Sequence, residues 1–266
     1  MFRAIRRYTR LYAHFLSFSF SKSFEFRLNF WFRIIMDVIY AGMLVSFYQI
    51  IYGEAQMLGG LTKTEALTFV GACLVLDGIQ MTFVHDNLDT LAEKVKRGDI
   101  DYYLVRPVSP LFFLSLKELS PNSLINLCFA FGIFGYYLSE LPYSISFFQL
   151  LWFAILIANG CVLYYLTRLL FILPIFWLGL VGGIDTLFYN LYYVVDRPDK
   201  VFKGAVRLVF STLLPFCVMV SFPVRVLFEG SDPLIIAHIF GVTLVLAILV
   251  RFLWALCLRS YSSASS

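Results

Sequence analysis

Charge is scarce in this chain. Only 14% of its 266 residues are Asp, Glu, Lys or Arg, and the mean hydropathy is +0.81. A water-soluble domain carries about a quarter charged residues, so a single soluble core is excluded and the bilayer has to act as solvent. Histidine is scarcer still: His14, His85 and His238 stand far apart. The five cysteines sit singly in apolar stretches with no C-x-x-C pair, and they read as small hydrophobes rather than disulfide partners or metal ligands. Also missing are a G-x-x-x-x-G-K-S/T phosphate loop, an H-E-x-x-H and a G-x-S-x-G. No cofactor or metal is therefore expected on this chain, and any ATP-driven work needs a separate polypeptide to hydrolyse the nucleotide. The net charge of +4 is too small to suggest nucleic-acid binding.

What is present is apolar surface, 60% of all residues, gathered into runs. A spanning helix needs roughly 20 mostly apolar residues, and the length allows about six. The expectation is an all-α, polytopic membrane protein. Residues 2–16 alternate apolar residues with arginines at helical spacing, the pattern of an amphipathic helix in the membrane interface; segment 1–28 is expected to be cytoplasmic. A six-span domain then covers 29–257, with spans expected near 29–52, 64–84, 120–138, from Ser146 past Leu166, 205–224 and 234–256. Pro174, Gly179, Gly182 and Gly183 would interrupt the fourth run. Residues 184–196 put Ile184, Leu187, Phe188, Leu191, Tyr192 and Val195 on one helical face, as an interfacial helix would.

Topology follows from lysine and arginine, which concentrate on cytoplasmic loops. The N-terminus, an inner loop at 85–120, a second inner loop at 184–204 and the tail 258–266 are expected inside. The turns at 53–63, 139–145 and 227–233 are expected outside. The cell (inner) membrane is the expected location, with both termini cytoplasmic.

The inner loop 85–120 holds the densest charge outside the N-terminus. Asp86 and Asp89 fall in the first turn of a helix over 86–97, and Lys94, Lys96 and Arg97 in its last. Gly98 follows at the position that ends a helix. A second helix is expected from Ser109-Pro110. The loop reads either as a solvated connection or as a docking surface for a cytoplasmic partner. Asp37 and Asp77 lie inside expected spans, where an ionised carboxylate costs roughly 2.5–3.5 kcal/mol. Each can belong to a polar translocation path or proton site. The structural alternatives are an i,i+4 pair of Arg33 with Asp37, a helix–helix hydrogen bond from Asp77, and an interfacial anchor for Arg207.

The run Lys96-Arg97-Gly98-Asp99-Ile100-Asp101-Tyr102-Tyr103-Leu104-Val105-Arg106-Pro107-Val108-Ser109 closely resembles a signature of ABC-2-type permeases, in the six-span family that includes viologen-exporter permeases. Arg27-Leu28-Asn29-Phe30 is similar to that family's approach to the first span. Asp196-Arg197-Pro198-Asp199-Lys200-Val201-Phe202, with Arg207, Pro215 and Pro223, resembles its second inner loop and following helix. The sequence departs from the pattern at Lys203-Gly204, where a proline is expected.

The resemblance implies an exporter of two permeases and two ABC ATPase subunits, with ATP and Mg on the ATPases. The second permease would be another copy of this chain or a related one. Glu93, Lys96, Arg97, Gly98, Asp99, Asp101, Arg106 and Pro107 would form the coupling contact, and Arg197, Pro198 and Arg207 would belong to the second inner loop. The competing reading is a proton-coupled secondary transporter using Asp77 or Asp37.

Overall fold

A computed structural model describes residues 11–21, 27–54, 56–105, 109–178 and 182–260. The described residues contain no strand, only an isolated bridge between Leu58 and Leu61. Helix α1 covers 11–21. It is followed by α2 (Arg27–Glu54), α3 (Lys63–Phe83), α4 (His85–Arg97), α5 (Asp101–Leu104), α6 (Pro110–Leu116) and α7 (Pro121–Ser139). Next come α8 (Phe147–Ile172), α9 (Ile175–Leu178), α10 (Gly182–Tyr192), α11 (Gly204–Thr212), α12 (Phe216–Met219), α13 (Ser221–Glu229) and α14 (Pro233–Ser260). Residues 1–10 of the expected amphipathic helix, Arg106, Pro107 and the tail from 261 lie outside the described residues.

Four helical stretches are long and apolar enough to cross a membrane: Leu28–Glu54, Lys63–Phe83, Phe147–Leu178 and Pro233–Ser260. Their ends follow local chemistry. Thr62 donates its backbone N–H to Glu65 at 2.8 Å at the start of α3. Ser146 and Gln149 exchange two bonds at the start of α8, 2.8 and 3.3 Å. Helix α8 stops at Ile172, just before Pro174, whose missing N–H cannot continue the ladder. Ser120-Pro121 opens α7 with proline in its first turn, as the sequence suggests.

Helix α3 is the buried centre, while α2 and α14 leave most of their apolar surface uncovered. Helix α7 runs antiparallel along α3: Gly71 lies against Phe134, and Gly78 against Leu127. Helix α8 meets α7 through stacked rings of Phe134 and Phe153, 5.0 Å apart. It runs parallel to α14, with Asn159 donating to Thr243 at 2.8 Å and, farther along both, Phe176 meeting Trp254 at 6.0 Å. The chain therefore has an elbow end, at α4–α6, and a far end, at the turns 56–62, 140–146 and 230–232.

Three expectations are corrected. The first concerns 184–196, expected as an interfacial helix. Phe188 is fully buried, with its ring 5.7 Å from Tyr164 on α8. Tyr192 donates to Asp77 of α3 at 2.6 Å, and the backbone oxygen of Asp196 accepts from Tyr48 of α2 at 2.6 Å. Asp185, Tyr189, Tyr192 and Asp196 find partners inside the protein while Asn190 and Tyr193 stay exposed, so the segment packs into the bundle instead of lying apart from it at an interface.

The second concerns 184–204, expected on the side opposite 53–63. Pro198 and Val201 pack on Gly59, and Lys200 lies beside Gly60. Lys200 also pairs with Glu229 at 2.7 Å. Residues 182–201 thus run the length of the bundle, from the elbow end to the far end. Arg197, Pro198 and Arg207 stand with the turns they were expected to oppose.

The third concerns the span expected at 205–224. Arg207 and Arg225 both reach Asp199 at the far end, so the segment goes in and comes back. Its tip, Pro215–Val220, turns against the middle of α8, where a Cβ on Gly160 would collide with the carbonyl of Met219. Pro215 supplies no N–H, and the backbone leaves helical geometry there and again at Val220. The run has the length of a span and the break of a hairpin.

Candidate functional site

The elbow is built on a rigid foot. The Asn87 amide donates to the Glu118 carbonyl at 2.6 Å and accepts from the Glu118 N–H at 2.8 Å, mimicking a strand pair between α4 and the lead-in to α7. Asp86 takes Arg33 of α2 at 3.3 Å and the Ser120 hydroxyl. The Arg33–Asp37 pair expected from spacing does not form; Asp37 is instead hydrogen-bonded by Asn126 of α7.

Above this foot, Leu88, Leu91, Ala92 and Val95 bury one face of α4. Gly98 takes φ +78°, the left-handed geometry a residue with a Cβ resists, and Asp99 N–H closes back on Lys94 at 3.0 Å. Ser109 then caps α6 by accepting from Phe112 N–H at 3.5 Å. The ring of Phe113 on α6 packs 5.2 Å from Tyr103 and 5.0 Å from Phe15 of α1. Ser115 meets the Tyr165 hydroxyl of α8 at 2.8 Å.

The outer rim carries residues that were expected to couple. Glu93 and Arg97 pair at 3.3 Å with both side chains mostly exposed, and Asp99 is exposed beside them. Asp101 is half-buried at the start of α5; the Lys96 side chain lies outside the described atoms. Two residues that charge patterning missed complete the rim. Tyr102 is 57% exposed and Val105 83%, giving the face apolar contact area beside its charges.

Beneath the elbow sits a side chain to which the sequence assigned no role. Arg168, in the last turns of α8, is 1% exposed. Its Nη2 lies 2.9 Å from Asp89 of α4 and 2.7 Å from Asp185 of α10. Its guanidinium carbon stands 4.8 Å from the Phe188 ring centre and 4.9 Å from that of Tyr189. Asp89 also accepts from the Tyr189 hydroxyl at 2.7 Å and meets His85 at 3.2 Å. The only sequence signal was an arginine within a long apolar run; its partners lie 79 positions before it and 17 after.

Asp37 and Asp77 share one cavity of about 790 Å³ between α2, α3 and α7, within the ~300–1,000 Å³ typical of small-molecule sites. Asn126, Phe129 and Tyr137 line it with them. Tyr192 satisfies Asp77 from behind, and Tyr40 donates to Asp196 at 2.9 Å. Among the described residues no three His, Cys, Asp or Glu side chains form a group able to hold a metal ion.

At the far end, Asp199 is 3% exposed and is the shared acceptor of Arg207, whose Nε stands at 3.2 Å, and of Arg225 at 3.5 Å. The three residues expected to form an inner loop are therefore not brought together with the elbow.

No curated protein and no solved structure matches the chain. A family model described as ABC-2 family transporter protein matches residues 38–265, nearly the whole of the helical bundle. With that match and a bundle of long apolar helices, the chain belongs to the ABC-2 transporter family and is an integral membrane transport component.

Proposed function

We propose that the chain is the membrane-spanning permease subunit of an ATP-binding-cassette exporter, coupled through its 85–120 elbow to a separate ATPase. The observation that carries this reading is the elbow itself. Its rim offers Glu93, Arg97, Asp99, Tyr102 and Val105 to solvent, while Asn87 and Asp86 fix its foot to two long helices. A mechanical contact needs both an exposed face and a stiff base.

In this reading two ATPase subunits carry ATP and Mg, and the second permease is another copy or a related chain. Six crossings are made by α2, α3, α7, α8, the 182–201 segment and α14, with 204–229 as a hairpin that enters and leaves at the far end. Among the described residues, only Lys63, Arg197, Lys200, Lys203, Arg207 and Arg225 of the lysines and arginines sit at the far end. The elbow end is thus the more basic and faces the cytoplasm of a cell inner membrane. The cavity holding Asp37 and Asp77 is the candidate translocation path.

The proton-coupled carrier remains the second reading, because the same cavity presents Asp77. Gentle purification from the native membrane separates the two. An ATPase recovered in equal amount, with vanadate-sensitive ATP hydrolysis that survives Asp77→Asn, supports the permease. A chain that emerges alone and translocates protons without ATP, losing this on Asp77→Asn, supports the carrier.

A further inference from the structure

Burying a guanidinium costs several kcal/mol, and a buried ion pair seldom repays more than a well-packed apolar side chain would. Stability alone therefore does not explain Arg168 at the floor of the elbow. The placement does more. One nitrogen, Nη2, faces two carboxylates from two different elements: it donates to Asp89 on α4, and it stands in ion-pair contact with Asp185 on α10, whose Oδ1 takes no hydrogen bond among the described residues. Nε and Nη1 have no acceptor among the described residues, so the side chain has no third anchor of its own. If either carboxylate moves away, a buried charge is left short of compensation, and the arrangement resists that separation steeply. Aromatic packing closes the alternatives: the Phe188 and Tyr189 rings of α10 stand against the guanidinium.

We propose that Arg168 is a positioning residue that ties the elbow to α10, so that displacement of α4 is passed to the 182–201 segment rather than absorbed between them. This rests on the permease reading for its purpose and goes beyond it by naming the linkage. The consequence is spatial. Residues 182–201 run to the far end, where Pro198 lies on Gly59 and Asp199 holds both arginines of the hairpin. The same segment touches Asp77, at the cavity, through Tyr192. A shift of the elbow would thus reach the cavity wall and the hairpin through one continuous stretch of chain, whose first fixed point is Asp185.

The test is amide hydrogen exchange of the full chain in lipid nanodiscs, which needs neither ATPase nor substrate. Asp89→Asn, a change confined to the elbow, should speed exchange across 182–192 by about tenfold or more. Arg168→Gln should do the same, and adding Asp89→Asn to it should bring no further increase. Arg168→Lys, which keeps the charge, should restore part of the protection. Tyr189→Phe removes the direct Tyr189–Asp89 bond and should leave the Asp89→Asn effect in place. By reciprocity, Asp185→Asn on α10 should speed exchange in 85–97, an arm that holds even if Arg168→Gln fails to fold.

Additive effects of Asp89→Asn and Arg168→Gln, an Asp89→Asn effect abolished by Tyr189→Phe, or no response of 85–97 to Asp185→Asn would each overturn the linkage. Those outcomes leave the permease reading standing. Failure to recover an ATPase would remove the permease reading and leave the linkage standing.

Discussion

Arg33 bypasses Asp37, one helical turn away on the same helix, and pairs with Asp86 across the chain at 3.3 Å. The choice joins the first long helix to the foot of the elbow and leaves Asp37 to Asn126 in the cavity. A double-mutant cycle on thermal stability should find coupling between Arg33 and Asp86. With side chains 47% and 27% exposed, the term should be small, about 0.2–1 kcal/mol. The cycle of Arg33 with Asp37, which share no direct contact, should show a smaller term. Coupling to Asp37 in place of Asp86 would contradict this pairing.

Asn87 is the stiffer part of the foot, because a single amide satisfies both backbone groups of Glu118. Asn87→Leu removes both of these bonds from the half-buried Glu118 backbone, at about 0.5–1.5 kcal/mol each. The variant should melt several degrees lower and lose protection from exchange first at 85–97 and 117–120. A melting curve unchanged from the wild type would show that the foot draws its rigidity from elsewhere.

Helix ends and the elbow were legible in the sequence because their signals are local. Ser120-Pro121, Gly98 and Ser109-Pro110 each announce a boundary within four residues. The path of 182–229 was not, because its determinants are distant pairings. The run 205–224 is apolar enough to span, and nothing local says that Arg207 returns to the same aspartate as Arg225. Counting basic residues misled in the same place. Arg207, Arg225 and Lys200 are paired with Asp199 and Glu229, and these distant pairings hold them at the far end whatever their number suggests. Arg168 was missed for a related reason: a lone arginine in an apolar run shows no partners until α4 and α10 fold over it.

Labelling with a membrane-impermeant thiol reagent tests the revised path. In a Cys128→Ser background, which removes the exposed native thiol, Lys200→Cys and Asp232→Cys should label from one side of sealed vesicles. Glu93→Cys should label from the other. Labelling of Lys200→Cys together with Glu93→Cys would restore the inner loop that the sequence suggests.

The clasp between Lys200 and Glu229 should respond to acid. Burial alone would raise the Glu229 carboxyl, but the Lys200 hydrogen bond and the Arg225 charge outweigh it and hold the group below its ordinary 4.5. A carboxylate depressed on folding stabilises above its unfolded value, and that stability is lost as pH falls through the lower folded value. Lys200→Met should therefore lower the melting temperature slightly at pH 7, and the difference from wild type should shrink as pH falls below the ordinary 4.5 and vanish once Glu229 is protonated. A difference that persists in acid would mean that Lys200 contributes by packing on Gly60 and not by charge.

The central claim is that the elbow rim is where the ATPase sits. Photo-crosslinking in native membranes tests it most directly, with a photoreactive residue placed at Tyr102 or Arg97 on the rim and, for comparison, at Lys200 at the far end. The account predicts that Tyr102 and Arg97 positions each capture one ATPase polypeptide, identified by its phosphate-binding loop, and that Lys200 captures none. An ATPase captured from Lys200, or none captured from either rim position, would contradict it.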